Sequence, residues 1–199
     1  MNINYNEEMK KIIKELNGNN KLLLHSCCGP CSTAVIERLK DYFDITVLYY
    51  NPNIEPYKEY LKRKNEQIRL LSELNIKHMD IDYLNEEYRN KVIGYEKEPE
   101  NGARCHICYR LRLEKTAKLA KENNFDYFAT TLTVSPYKNA KVINEIGLEL
   151  QNKYNIKYLL SDFKKEDGYK RSIELSKKYE LYRQDYCGCL FSKERNVDE

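Results

Sequence analysis

Hydrophobic positions along this chain recur with two different periods, and segments of the two kinds alternate. Short apolar or β-branched runs, of which Lys21–His25 with its three consecutive leucines is the first, are typical of buried strands. The longer segments between them carry apolar residues at every third or fourth position, the spacing of one helical face. The pattern predicts strands at residues 21–25, 45–50, 76–83, 125–131 and 156–160. It predicts helices at residues 7–17, 32–42, 57–74, 85–93, 105–122, 138–153 and 169–179, the second of them N-capped by Ser32.

Strands that alternate with helices favour an α/β fold with a mostly parallel sheet and flanking helices. No internal repeat, low-complexity segment or interdomain linker interrupts the pattern, so we expect a single domain over residues 1–199. Ligands of open parallel sheets collect beyond the carboxyl ends of the strands. The segments that follow four of the strands should therefore share one rim: residues 26–32, 82–83, 130–135 and 161–165.

Composition indicates the broad class of the protein but no partner. A hydrophobic share of 41% with 33% charged residues is typical of a globular protein, and a net charge of +3 does not by itself indicate nucleic-acid binding. No apolar run approaches the length of a membrane span, and the N-terminus lacks the features of a secretory signal. We therefore expect a cytoplasmic protein without a membrane partner.

The seven cysteines are grouped in three motifs, which indicates soft-metal or redox chemistry. In a reducing compartment clustered cysteines seldom form structural disulfides, and an odd number excludes complete pairing within the chain. Two Cys-x-x-Cys pairs can supply four sulfurs to a tetrahedral zinc ion or to a [4Fe-4S] cluster, and spacing alone leaves both open. The three further cysteines, and a first motif that follows a strand, favour iron–sulfur. The motifs are Cys27, Cys28 and Cys31; Cys105 and Cys108; Cys187 and Cys189.

Other readings of the first motif fit less well. Cys28-Gly-Pro-Cys31 matches the dithiol of thioredoxin-like proteins, but the other cysteine motifs have no place in a simple dithiol enzyme. An ATP-dependent tRNA-modifying enzyme would need a phosphate-binding loop here. The loop offers only Gly29, followed by Pro30, which has no N–H to donate. A non-catalytic, zinc-stabilised RNA-binding module remains the alternative from another class.

Polar residues near the predicted rim are candidate ligand contacts. The hydroxyls there can bind a ribose or phosphate, or only satisfy the backbone at a strand end; they belong to Thr130, Thr131, Thr133 and Ser135. The basic residues Lys164, Lys165 and Arg171 are candidate phosphate contacts. His25 and His78 are expected to be buried hydrogen-bonding residues. The aromatic and polar residues 182–186 suggest that the last cysteine motif folds back over the rim.

Four separated motifs together resemble the QueH family of epoxyqueuosine reductases. They lie at residues 25–32, 102–109, 130–138 and 162–189, in that order, and the resemblance spans about residues 22–192. The first two carry His-Ser-Cys-Cys-Gly-Pro-Cys-Ser and Gly-Ala-Arg-Cys-His-Ile-Cys-Tyr, and the last ends in Tyr-Cys-Gly-Cys.

The resemblance implies removal of the epoxide oxygen from epoxyqueuosine at the tRNA wobble position, on a Rossmann-like fold related to nucleotide-binding hydrolases. It implies a [4Fe-4S] cluster, assigned here to Cys28, Cys31, Cys105 and Cys108, and a second thiolate-bound metal ion, iron, left for Cys27, Cys187 and Cys189. The choice between Cys27 and Cys28 as cluster ligand stays open. Proton-donor candidates, named for their nearness in sequence to the cysteines, are Asp185, Tyr186 and Tyr109. The implied partners are tRNA containing epoxyqueuosine and an electron donor that the residues do not identify.

Overall fold

A five-stranded parallel sheet with the strand order β3-β2-β1-β4-β5 forms the centre of the molecule. The structure is a computed structural model and describes residues 3–195. The strands are β1 (Asn20–His25), β2 (Phe43–Leu48), β3 (Lys77–Met79), β4 (Tyr127–Thr130) and β5 (Lys157–Tyr158). All four strand pairs are parallel, which confirms the predicted sheet.

The helices connect these strands. They are α1 (Tyr5–Lys14), α2 (Gly29–Leu39), α3 (Tyr57–Glu73), α4 (Asn85–Lys91), α5 (Ala103–Glu122), α6 (Ala140–Tyr154), α7 (Gly168–Lys178) and α8 (Leu190–Arg195), with a 3-10 turn at Thr131–Val134. None of the helices within residues 3–195 is both long and apolar enough to span a bilayer.

The leucine run in β1 is explained by burial on both faces of the sheet. Leu22 and Leu24 pack into one hydrophobic core with α2 residues, whereas Leu23 packs into the opposite core with α5 and α6 residues. A strand covered by helices on both sides is apolar at every position rather than at every second one.

The strand order places a crevice between β1 and β4, because the chain winds outward in opposite directions from these two strands. Such a switch point is where open α/β sheets bind their ligands. The loops that follow the two strands are joined there, since the Cys27 backbone N–H donates to Thr131 Oγ1 at 3.3 Å. The first cysteine motif therefore lies at the ligand-binding edge of the sheet.

Three local predictions are wrong. α2 begins at Gly29 with Cys28 as its N-cap, not at Ser32. Pro30 is tolerated in the first turn, where its missing N–H has no helical partner, and the buried Ser32 hydroxyl donates to Gly29 O at 2.8 Å. β3 is an edge strand of three residues rather than eight. His78 lies on it and is exposed, so it is not a core residue.

Candidate metal centre

Three of the seven thiols form a compact group at the carboxyl end of β1. The sulfur atoms of Cys27, Cys28 and Cys31 all lie within 4.8 Å of one another, and those of Cys27 and Cys28 are 3.8 Å apart. Two thiolates on one tetrahedral ion with metal–sulfur bonds of about 2.3 Å lie about 3.8 Å apart, so this spacing suits a soft metal. The group is compatible with metal binding.

The first turn of α2 and a glutamine from the C-terminal segment hold this group in place. Cys28 Sγ accepts hydrogen bonds from the Cys31 N–H at 3.4 Å and from Gln184 Nε2 at 3.1 Å. Ser26, which precedes the motif, is buried and donates from its hydroxyl to Gln67 Oε1 on α3 at 2.6 Å. Through Gln67, Gln184 and Thr131, the cysteine loop is thus tied to three different parts of the chain.

The three thiols of this group differ in acidity. Hydrogen bonds from Cys28 and Cys31 lower the pKa of the Cys27 thiol well below its ordinary value. Burial raises the pKa of Cys28 to about 12, and the pKa of Cys31 is raised by its hydrogen bond to Cys27. One thiolate is therefore stabilised by two neutral thiols, an arrangement that a metal cation would convert to a set of thiolates.

The other four cysteines are also near one another. Cys105 and Cys108 lie in the first two turns of α5, and Cys108 and Cys189 are buried in the same hydrophobic core. The pKa of Cys108 is raised to about 12, chiefly by burial and further by the charges of Cys187, Cys189 and Cys105.

This grouping differs from the division of ligands that the resemblance implied. That division separated Cys27 from Cys28 and Cys31, whereas the structure places all three together. Cys187 and Cys189 instead lie near the α5 pair. Which thiols bind which metal nevertheless stays a prediction.

The Cys187-Gly188-Cys189 segment folds back over the rim, as expected. Arg63, buried on α3, donates to the carbonyl oxygens of Tyr186 and Cys187 at 3.3 Å each, and Gly188 O accepts from the Glu55 N–H at 2.8 Å. Gly188 has a φ of +124°, and a Cβ there would lie 2.8 Å from the Ile54 side chain. Only glycine fits this approach without strain.

Two cations lie among the thiols. Lys138 Nζ donates to Cys187 Sγ at 3.0 Å, and the fully buried Arg112 reaches Cys108 O and Asn51 Oδ1 at 3.3 Å each. Arg112 Nη2 is buried without a hydrogen-bond partner among the described residues. Burial alone would raise the pKa of the Cys187 thiol, but Lys138 and Arg112 together outweigh it and lower the pKa. These cations offset the charge of a group of thiolates.

His25 is a buried hydrogen-bonding residue, as predicted, and both of its ring nitrogens are used. Nδ1 lies 2.9 Å from Thr130 Oγ1 and Nε2 lies 3.0 Å from Tyr50 O. Burial, reinforced by the positive charge of Arg112, lowers its pKa to about 3. The ring is therefore neutral, and it is not available as a metal ligand because both of its nitrogens are hydrogen-bonded.

A cavity of about 430 Å³ opens over the crevice between β1 and β4. Of the predicted site residues, six line it: Cys27, Cys31, Ser135, Asp185, Tyr186 and Cys187. The other lining residues are Pro30, Glu100, Arg112, Val134, Tyr137, Lys138, Tyr169, Ser172, Arg183, Gln184 and Ser192. A cavity of this size, lined by thiols and several polar groups, can bind a polar organic molecule.

The threonines predicted to contact a ligand do not line the cavity; their hydroxyls instead form hydrogen bonds within the protein. Thr130, Thr131 and Thr133 are fully buried. Thr130 Oγ1 is bonded to His25, Thr131 Oγ1 accepts from the Cys27 N–H, and Thr133 Oγ1 lies 3.1 Å from Ser161 Oγ. The sequence showed hydroxyls after a strand, but their inward orientation depends on partners from distant segments.

The three predicted basic contacts lie outside the cavity lining. Lys164 pairs with Asp162 at 2.7 Å, and Lys165 is exposed. Arg171 is exposed and pairs with Glu37 at 2.8 Å and Glu174 at 2.9 Å.

The proton-donor candidates differ in their access to the cavity. Asp185 is exposed and Tyr186 is half-buried on its wall. The Tyr186 hydroxyl donates to Glu55 O at 2.7 Å, and burial raises its pKa to about 12. Tyr109 is buried, is absent from the cavity lining, and donates to Asn101 Oδ1 at 3.0 Å.

The positions of Arg112, Lys138 and Gln184 among the thiols were not predicted from the sequence. Arg112 had a detectable signal, because positions 105, 108 and 112 lie on one face of α5. Gln184 had none, since its contact with Cys28 spans more than 150 positions of the chain.

The fold and the thiol-lined cavity define a Rossmann-like α/β protein with a group of thiols, compatible with metal binding, at the carboxyl edge of its sheet. The model of the epoxyqueuosine reductase QueH family matches residues 22–195. The chain belongs to this family of oxidoreductases, which confirms the resemblance.

Relatives named epoxyqueuosine reductase QueH are similar over most of the chain. The Staphylococcus epidermidis protein is 46% identical over 96% of this chain and 84% of its own length. The Streptococcus pyogenes protein is 44% identical over 98% of this chain and 81% of its own length. The Thermotoga maritima protein is 35% identical over 86% of this chain and 89% of its own length.

Two solved structures share the fold. One is a predicted subunit of tRNA methyltransferase from Methanocaldococcus jannaschii, with a TM-score of 0.52 and 16% identity, covering 79% of this chain and 74% of its own. The other is the U34-tRNA thiolase NcsA from Methanococcus maripaludis with its [4Fe-4S] cluster. Its TM-score is 0.53 at 15% identity, and the match covers 96% of this chain and 70% of the thiolase chain. At these identities the likeness concerns the fold alone.

Proposed function

We propose that this protein is an epoxyqueuosine reductase, which converts epoxyqueuosine at the tRNA wobble position to queuosine. The observation that carries the proposal is the cavity at which the first and the last cysteine motifs meet, in a chain of this family. The reaction breaks both C–O bonds of the epoxide and forms a C=C bond. It consumes two electrons and two protons and releases the oxygen as water.

All seven thiols are proposed as metal ligands. We place a [4Fe-4S] cluster, which takes four cysteine ligands, on Cys105, Cys108, Cys187 and Cys189, because the other three thiols are near enough to Cys108 to raise its pKa. We place a second metal ion, iron, at Cys27, Cys28 and Cys31, whose close spacing suits one ion with a fourth position open to substrate. When bound, the cluster supplies electrons and the second metal polarises the epoxide oxygen. The solved thiolase with its [4Fe-4S] cluster supports the view that such a fold accommodates one.

The residues of the chain bind the nucleoside, balance charge and deliver a proton. Arg112 and Lys138 offset the negative charge of the thiolates at the cavity floor. Asp185 is the proposed proton donor, because it lies on the cavity wall whereas Tyr109 does not. The Tyr186 hydroxyl already donates to a backbone carbonyl, so Tyr186 is the weaker candidate.

The proposed partners are tRNA and an electron donor. Lys164, Lys165 and Arg171 remain proposed phosphate contacts outside the cavity, with Lys165 the most accessible because the other two already have carboxylate partners. Ser135, the one predicted hydroxyl that lines the cavity, is the proposed ribose contact.

Turnover tests this proposal. Anaerobically purified protein, supplied with a strong reductant, should convert an epoxyqueuosine-containing anticodon stem-loop to queuosine, seen by mass spectrometry as the loss of one oxygen atom. Cys108→Ala should abolish conversion, whereas Asp185→Asn should slow it by about 10²–10⁴-fold, the range of a lost general acid. Absence of conversion by wild-type protein with full metal content would contradict the proposal.

A further inference from the structure

Tyr137 is an exposed aromatic residue at the mouth of the cavity. Its exposed fraction is 69%, and of the exposed large hydrophobic residues that the structure describes it is the one that borders the cavity. Single exposed apolar residues are common on protein surfaces and need no explanation by themselves. The position beside the reactive thiols, and the way the backbone is held, set Tyr137 apart.

The backbone of Tyr137 is fixed on both sides. Its N–H donates to Ser135 Oγ at 3.3 Å, and its carbonyl oxygen accepts from Asn101 Nδ2 at 2.9 Å. Asn101 is itself held by the buried Tyr109, whose hydroxyl donates to Asn101 Oδ1 at 3.0 Å. The next residue, Lys138, contacts Cys187 at the cavity floor.

The side chain of Tyr137, in contrast, is bare. Among the side chains that the structure describes, none makes a ring contact, a cation–π contact or a hydrogen bond with it. Another exposed tyrosine, Tyr57, instead packs against Tyr60 and Tyr83. The fixed backbone holds the attachment point of the uncovered ring at the cavity mouth, and a tyrosine side chain has only two χ angles to order when a planar partner stacks on it.

We propose that the Tyr137 ring is a stacking platform for a nucleobase next to the one that enters the cavity. This inference rests on the proposed function. A nucleoside that enters the cavity must leave its stack, and its neighbours in the strand lose a stacking partner. Single-stranded RNA recovers that loss on exposed aromatic side chains, whatever the base. The ligand of this subsite is therefore a nucleotide flanking the modified one in a single-stranded loop.

The absence of tryptophan from the chain allows a direct test. Tyr137→Trp introduces a single indole that stacks at least as well as tyrosine, so its emission should be quenched when an anticodon stem-loop binds. Tyr42→Trp is the matched control. Tyr42 is 50% exposed and precedes β2, at the amino edge of the sheet, opposite the cavity. Its emission should not change.

Affinity gives a second readout. Tyr137→Ala should weaken stem-loop binding about 5- to 150-fold, which corresponds to about 1–3 kcal/mol per stacked base. Tyr137→Phe should retain wild-type affinity, and Tyr42→Ala should change nothing. In turnover, the KM for the stem-loop should rise more in Tyr137→Ala than the KM for the free nucleoside, which has no flanking base.

The outcomes separate this inference from the proposed function. Unchanged emission of Tyr137→Trp in saturating stem-loop, or an affinity of Tyr137→Ala within twofold of wild type, would overturn the stacking platform even if the protein reduces epoxyqueuosine. Conversely, quenching and weakened binding without any conversion would support the platform and contradict the reductase. A wild-type protein with full metal content that fails to bind the stem-loop would overturn both.

Discussion

At the scale of single residues, the role of a side chain could be predicted where residue type and spacing in a motif determine it. The cysteines that line the cavity were identified from spacing, and His25 was correctly placed in the interior. Predictions failed where orientation decides the role. His78 is exposed because its strand lies at the sheet edge, and the rim threonines turn inward to partners that are distant in sequence.

His25 gives a pH-dependent prediction at this scale. Its pKa is about 3 in the folded protein against an ordinary 6.5, so below pH 6.5 the unfolded chain takes up a proton that the folded chain does not. Its contribution to stability is therefore lost progressively as the pH falls from about 6.5 towards 3. His25→Gln should be less stable at neutral pH, but its unfolding free energy should fall less steeply over that window.

Chemical denaturation at a series of pH values measures how steeply the unfolding free energy falls as the pH is lowered. His78→Gln is the control, because His78 lies on the surface, and its curve should follow that of wild type. Equal slopes for His25→Gln and wild type would show that His25 is not the group responsible.

At the scale of elements, hydrophobic periodicity predicted every strand and the seven longer helices, because burial against a sheet imposes the pattern. The ends were less predictable. The start of α2 at Gly29 depends on the sulfur of Cys28 acting as a cap, whereas the usual preference for serine favoured Ser32. α8 was not predicted, and the path of the C-terminal segment depends on contacts with Arg63 and Ile54.

Gly188 tests that path. Gly188→Ala forces a side chain into a φ of +124° and against Ile54, which should displace Cys187 and Cys189 while leaving the sheet intact. We expect a substantial loss of bound iron per chain with an unchanged far-ultraviolet circular dichroism spectrum.

Gly18→Ala is the matched control for this variant. Gly18 also has a positive φ, of +78°, but a Cβ there would meet no atom within 4 Å. It should therefore also place an alanine at a positive φ, but without moving a cysteine. Full iron content in Gly188→Ala would mean that the segment does not need this close approach.

At the scale of the whole molecule, the fold brings together motifs that are far apart in the chain. The cysteine motif after β1 and the C-terminal segment line one cavity at the switch point between β1 and β4, and the α5 cysteines lie near the C-terminal pair. The strand alternation predicted a common rim, but only the three-dimensional arrangement shows that Cys27, Cys28 and Cys31 form one group and that Cys187 and Cys189 lie near the α5 pair. No spacing rule relates Cys187 to Cys105, which lie more than 80 positions apart in the chain.

The metal content of anaerobically purified protein tests the central claim most directly. Two thiolate groups with the proposed occupants predict a brown protein with about five iron and about four acid-labile sulfide per chain. Cys105→Ala should lose the visible absorption. Cys27→Ala should lose about one iron per chain and keep most of the visible absorption. A colourless wild-type protein that holds only zinc would contradict the account and leave a zinc-stabilised RNA-binding module in its place.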